Sequence, residues 1–225
     1  MKKKIINLVL RIVSPFYKNR RYEVYSEKTM ANLGCGLLCL PRGKNIDGSF
    51  TAFFDLRRFS FLNKILYKPA GSSIFYSFKE YNEIIKNSRL LFFDLRNGAP
   101  FPNNSLDVIF SSYFLKHLNK NDGRKFLKDC YRTVKEGGMM RLMIPDLDIA
   151  FRMYQNDQVE EMEDPFFYNS DGQDFHSHKY NYNFTTLQKI LSSCGFKNVY
   201  KEKYKEGRCP DIKFLDIYPE HSSVY

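Results

Sequence analysis

The chain has 225 residues, enough for one domain with a sizeable core, and its 43% hydrophobic and 16% aromatic content excludes a disordered polymer. Its net charge of +10 is uneven, since residues 1–28 hold eight basic side chains against Glu23 and Glu27. Five scattered cysteines (Cys35, Cys39, Cys130, Cys194 and Cys209) form no CxxC pair, which excludes a zinc ribbon and a disulfide framework and points to a reducing, cytoplasmic compartment.

The first element is the basic segment 1–28, whose apolar run from Ile5 to Val13 is broken by Asn7 and Arg11. The run is too short to span a bilayer, and no small-residue cleavage site follows it. Helical spacing sets Ile5, Leu8, Val9, Ile12 and Phe16 roughly on one face. Two outcomes fit that face: an interfacial helix drawn to anionic lipid, peripheral at the inner membrane face, or a helix packed on the domain.

From residue 29 to 225, strand-like and helix-like segments alternate without repeats or linkers, the pattern of one doubly wound α/β domain. Strands are predicted at Met30–Leu33, Lys44–Ile46, Leu90–Phe93, Leu106–Ser111, Gly138–Ile144, Val199–Lys205 and Lys213–Pro219, the last extending toward Ser222–Tyr225. They compose a mostly parallel, seven-stranded sheet. Helices are predicted at Phe78–Lys86, Gly123–Val134 and Thr185–Cys194, with Thr185 as N-cap and Gly195 as C-terminal stop. The aromatic and basic stretch 59–88 is longer than a usual connection and reads as an insertion, either a lid or extra helix covering the sheet.

The first strand stops at Leu33-Gly34-Cys35-Gly36, a glycine turn that brings backbone close to a ligand. Cys39 stands where a dinucleotide fingerprint wants its third glycine, so a nicotinamide site is disfavoured. Asp47 closes the second strand, Asp94 the third, and Ser111 and Ser112 the fourth, all at the carboxyl edge where such sheets bind ligands. Asp47 also fits a simple turn cap, and Asp55 in FFDLR competes for its place. Asp107 reads as a structural turn residue.

These motifs, LGCG, LPRGKNID, FFDLRNGAPFPNNSLDVIFSSYFLKHL and YRTVKEGGMMRLMIPDLD, resemble those of class I S-adenosylmethionine-dependent methyltransferases, in particular the small ones of bacterial surface-polysaccharide biosynthesis. The resemblance implies a Rossmann-like methyltransferase fold with S-adenosylmethionine as cofactor. It places Gly34 and Gly36, with Leu33 and Cys35, under the methionine part, Asp47 on the ribose hydroxyls, and Asp94 and Leu95 on adenine. The acceptor it implies is a sugar hydroxyl of a glycan or its precursor. An RNA or small-metabolite methyltransferase is the alternative, and a non-catalytic cofactor-binding module of a polysaccharide-assembly complex is another.

SSYF, Ser111 to Phe114, lacks the (D/N)PP(Y/F) motif of amino-methylating nucleic-acid enzymes, and no Pro-Cys nucleophile stands in that loop, so nucleic acid is an unfavoured partner. Methyl transfer to oxygen requires a proton acceptor, for which histidine is suited near neutral pH. His178 ranks first, with His176 beside it in QDFHSHKYNYNF among Tyr180, Asn181 and Tyr182. His117 in LKHL fits the pocket or a core position equally. Asp146 in IPDLD is either an acceptor-orienting group or a helix N-cap. His176 and His178 with Asp171 or Asp174 make only a weak metal set, so no metal is expected.

Overall fold

The computed structural model describes residues 2–25, 29–54, 60–68, 72–74, 76–162, 166–168, 177–217 and 222–224. Its strands are β1 (Met30–Leu33), β2 (Lys44–Asp47), β3 (Leu90–Phe92), β4 (Leu106–Ser112), β5 (Val134–Pro145) and β6 (Ser222–Val224), in the sheet order β3-β2-β1-β4-β5-β6. β1 to β5 are parallel, and β6 runs antiparallel to β5 at the edge. Every residue of β1 is buried, as a central parallel strand covered on both faces requires. The chain winds outward from β1 to β3 and returns on the other side at β4. That reversal opens a crevice at the carboxyl ends of β1 and β4.

The sheet of the described residues thus has five parallel strands and one antiparallel edge, not the seven expected. Val199–Lys205 forms no strand. Alternate residues there are Val199, Lys201, Lys203 and Lys205 on one side and Tyr200, Glu202 and Tyr204 on the other, so neither face is apolar enough to bury. The expected extension is present as β6 at Ser222–Val224, but over the described part of the predicted strand at 213–219 stands a single helical turn at Ile212–Leu215. There Asp216, fully buried, accepts from Arg141 Nε at 3.1 Å and Nη2 at 2.5 Å, and from the Lys205 backbone N–H at 2.8 Å. This pair ties the tail to β5.

The helices are α1 (Lys2–Tyr17), α2 (Phe50–Phe53), α3 (Ser60–Leu66), α4 (Phe78–Asn87), α5 (Lys120–Thr133), α6 (Leu147–Gln155), α7 (Phe184–Cys194) and α8 (Ile212–Leu215). Asn183, rather than Thr185, caps α7, because its side chain reaches the Thr186 N–H in a reciprocal capping box. Gly195 ends that helix at φ 111°, a left-handed position suited to glycine.

α5 and α7 cover one sheet face, where Phe126, Leu127, Cys130, Leu187 and Leu191 meet β1 and β4. On the other face α1 to α4 cover the β3 edge, where Leu10 is buried with Tyr81, Ile85 and Phe92, and Ile6, Val13 and Tyr17 pack around them, while Leu40, Cys209 and Leu215 meet Met30, Phe110 and Met143 of β1, β4 and β5. Tyr17 meets Phe92 edge-on at 5.1 Å. The described part of 59–88 is therefore a cover for the sheet, and α1 is packed beside it. The five cysteines are buried free thiols.

Candidate active site

Gly34 and Gly36 both hold left-handed backbone, at φ 73° and 53°. The Gly34 and Cys35 N–H groups donate to the Ile46 carbonyl, at 2.9 and 3.2 Å, which pins the turn to β2. A Cβ on Gly34 would run into the Phe114 side chain, whereas one on Gly36 would meet nothing within 4 Å. Gly36 therefore borders open space. Asp47 holds that opening in shape: its carboxylate accepts from the Gly36 N–H at 2.8 Å and from the Ser49 N–H at 2.7 Å. The Leu33 and Cys35 side chains are buried, leaving their backbone to face any ligand.

Asp94 is already engaged. Its carboxylate accepts from Ser14 Oγ of α1 at 2.7 Å and from Arg96 Nη2 and Nε at 2.6 and 2.9 Å. Burial raises the Asp94 carboxyl, but the Arg96 guanidinium and the Ser14 hydroxyl outweigh it and hold the group below its ordinary range. Leu95 buries its side chain in the core, so only its backbone can reach a ligand. Ser111 differs from expectation: its buried hydroxyl donates to the Leu33 carbonyl at 2.8 Å and stitches β4 to β1. Ser112, on the opposite side of the pleat, has a buried hydroxyl with no hydrogen-bond partner among the described residues.

Beyond β4, Tyr113 takes a positive φ of 57° and Phe114 lies against Gly34, which sends the chain into the 3₁₀ turn Leu115–His117. Lys116, 7% exposed, has its Nζ 4.5 Å from the Tyr113 ring centroid. Burial lowers its amine to about 7. The Lys116 carbonyl accepts from the Lys179 and Tyr180 N–H groups at 2.8 and 3.3 Å, which joins this turn to the histidine loop. Within that loop the His178 ring lies 5.2 Å from that of His117 and 5.8 Å from that of Tyr168. His117 Nδ1 is 3.3 Å from the Ser177 carbonyl. His178 is lowered to about 4, by burial first and then by the Lys116 charge, against a contact with the Phe166 backbone.

A cavity of about 600 Å³ opens here, lined by Leu147, Phe166, Phe167, His178, Tyr180 and Asn181 among others. Among the described residues, two buried polar atoms in its wall lack partners, His178 Nδ1 and Asn181 Oδ1. Tyr182, grouped with Tyr180 by sequence, is core instead: it is 1% exposed. Asp146 is also withdrawn from solvent. It caps α6 through the Asp148 N–H at 3.0 Å and accepts from Lys201 Nζ at 2.7 Å, so it serves the fold rather than an acceptor hydroxyl. His176, Asp55, Asp171 and Asp174 lie outside the described residues.

Residues 78–142, from α4 into β5, match a family model described as a methyltransferase domain. Over the whole chain the structure resembles the S-adenosylmethionine-dependent methyltransferase SibL in its apo form, with 13% identity, 96% of this chain and 52% of that one covered, and a TM-score of 0.50. PigF, solved with SAH, gives 14% identity, coverage of 97% and 63%, and a TM-score of 0.50. The chain has the class I methyltransferase fold. A SAM-dependent methyltransferase from Archaeoglobus fulgidus is also similar, at 15% identity, coverage of 99% and 92%, and a TM-score of 0.47. No curated protein sequence matches. The matched segment of the methyltransferase fold includes Asp94, Ser112, Lys116 and His117, while the glycine turn and the histidine loop lie outside it.

Two groups of this sheet edge escape sequence reasoning. Lys116 reads there only as a basic residue beside His117, and nothing local says that its stem and amine are buried. Ser14 lies 80 residues from the carboxylate it binds. Strand alternation is the one signal within reach, since it separates Ser112 from Ser111 once the face of β4 is known.

Proposed function

We propose that this chain binds S-adenosylmethionine at the carboxyl ends of β1, β2 and β4 and transfers its methyl group to a sugar hydroxyl of a glycan or glycan precursor. One observation carries the reading: Phe114 lies on Gly34 of the open turn, and two residues on, Lys116 is joined to the aromatic cavity wall. Cofactor edge and acceptor cavity are thus neighbours. The residues fit the cofactor. Gly36 leaves room beside the backbone, Asp47 has acceptor oxygens for a diol, and the unpartnered Ser112 hydroxyl offers one more polar group.

When bound, S-adenosylmethionine supplies a methyl group on a positively charged sulfur. The chain's own groups prepare the acceptor. Lys116 Nζ, whose amine burial lowers to about 7 and whose charge is felt by the cavity-lining His178, is the group we assign to take the hydroxyl proton. That proton transfer would ready the acceptor oxygen for the methyl group that the cofactor, held beside the Gly34–Gly36 turn and Asp47, would supply. His178, neutral above about 4, orients the hydroxyl, with His117 and the undescribed His176 as further candidates in that role. Sugar suits the cavity because aromatic rings pack against its C–H faces while His178 Nδ1 and Asn181 Oδ1 meet its hydroxyls. The motif resemblance to polysaccharide-pathway enzymes supports the same acceptor.

The test is calorimetry with S-adenosylhomocysteine, expected near micromolar affinity or about −8 kcal/mol, together with mass spectrometry of a nucleotide-sugar panel incubated with S-adenosylmethionine. A methylated sugar is the expected product. Methylation confined to RNA or small metabolites would replace the acceptor class, and absence of binding would overturn the whole reading.

A further inference from the structure

We propose that the outer face of α1 docks this protein on an anionic lipid bilayer. The helix has two apolar faces. Ile6, Leu10, Val13 and Tyr17 turn inward onto the sheet cover. Ile5, Leu8, Ile12 and Phe16, spaced three or four residues apart, are 55%, 58%, 58% and 83% exposed. A helix already anchored by one face has no folding reason for a second apolar row. α3, packed on the same apolar cluster through Leu62 and Leu66, adds Phe61 and Ile65 at 69% and 63% exposure, with the basic Lys64 between them.

Charge chooses the occupant. Residues 1–22 contain seven basic side chains and no acidic one, so they hold +7 of the net +10. A second copy of the chain seated on this face would bring two such segments together and be repelled. Nucleic acid would use the charge but leave the apolar row in water. An anionic membrane surface satisfies both: basic side chains meet headgroups while the apolar row enters the acyl boundary. This is surface attachment, since no helix of the described residues is long and apolar enough to cross a membrane.

The experiment is co-sedimentation of the full chain with phosphatidylcholine vesicles, with and without about 30% phosphatidylglycerol, at about 0.05 and 0.5 M salt. The triple variant Leu8→Gln/Ile12→Gln/Phe16→Gln is compared with the unmodified chain, its fold checked by thermal melting. Expected are binding to the anionic vesicles alone, weakening of about tenfold or more at high salt, and a similar loss in the variant with its melting temperature unchanged. Lys2→Gln/Lys3→Gln/Lys4→Gln should remove much of the salt dependence while leaving the fold intact. Equal binding by the unmodified chain and the apolar variant overturns the proposal. So do equal binding to neutral vesicles, a lower melting temperature in the apolar variant, or a dimer by light scattering that this variant dissociates.

Discussion

Replacing Lys116 by methionine should strengthen the fold and stop turnover together. Moving its amine from 10.5 to about 7 spans about 3.5 pH units, and at about 1.36 kcal/mol for each, holding the ammonium inside costs the folded state about 5 kcal/mol below pH 7. Between 7 and 10.5 the unfolded chain carries a proton on this amine that the folded chain lacks, so stability rises with pH through that window. Methionine keeps most of the stem packing and removes the charge. Urea unfolding at about pH 6 and about pH 9.5 measures the effect as a difference between the two proteins, which cancels the other titrating groups. Lys116→Met should be more stable by about 3–5 kcal/mol at the lower pH and by only about 1–1.5 kcal/mol at the higher, with methyl transfer lost at both. A variant less stable at both would mean that the ammonium has a favourable partner, and the argument for a neutral amine would fall.

In the unmodified protein, the proposed methyl transfer should rise in kcat with pH through an apparent value near 7 if Lys116 takes the proton. A profile already flat above about 4 would give that task to His178 instead. His178→Ala should lower turnover by about 100-fold while S-adenosylhomocysteine affinity, measured by calorimetry, stays within about twofold. Ser14→Ala and Asp94→Ala should act with opposite signs on that affinity. Freeing the carboxylate should leave binding unchanged or tighter, and removing it should weaken binding by more than about 1 kcal/mol; loss in both would assign Asp94 to holding α1 alone. Asp216→Ala strands the buried Arg141 guanidinium and should destabilise by about 3–5 kcal/mol, whereas Arg141→Met with Asp216→Leu should be near neutral in the same denaturation assay.

What the sequence disclosed and what it hid divide along the range of the interactions. The strands β1 to β4, the glycine turn and Asp47 were legible because each is set by its own neighbours: an apolar run, a residue tolerant of positive φ, a carboxylate at a strand end. The stretch around Ile212–Asp216 was misread because its conformation is fixed by Arg141, 75 residues away from Asp216, whereas the strand at Ser222–Val224 was anticipated. Asp94 was found as a residue, but its engagement by Ser14 was not, for the same reason. The exposed row Ile5, Leu8, Ile12 and Phe16 was legible from spacing, while the inner row through Leu10 required knowing that α4 and β3 wait to receive it. Asp146 shows the ambiguity of a strand-end carboxylate, which one cap bond and one lysine turn from chemistry to architecture.

The placement of α1 sets an order of events during synthesis. Its inner partners Tyr81, Ile85 and Phe92 are encoded well downstream, and the Asp94 carboxylate that receives Ser14 comes 80 residues after it. At about 5–20 residues per second the newborn helix waits about 4–16 s with both apolar rows uncovered. A segment made before its partners is therefore among the last to find its place, and the window is long enough for a basic, doubly apolar helix to meet another surface first. Ribosome-bound chains halted before and after residue 94 should differ in protease sensitivity at α1. If they are equally protected, the helix finds cover without the sheet.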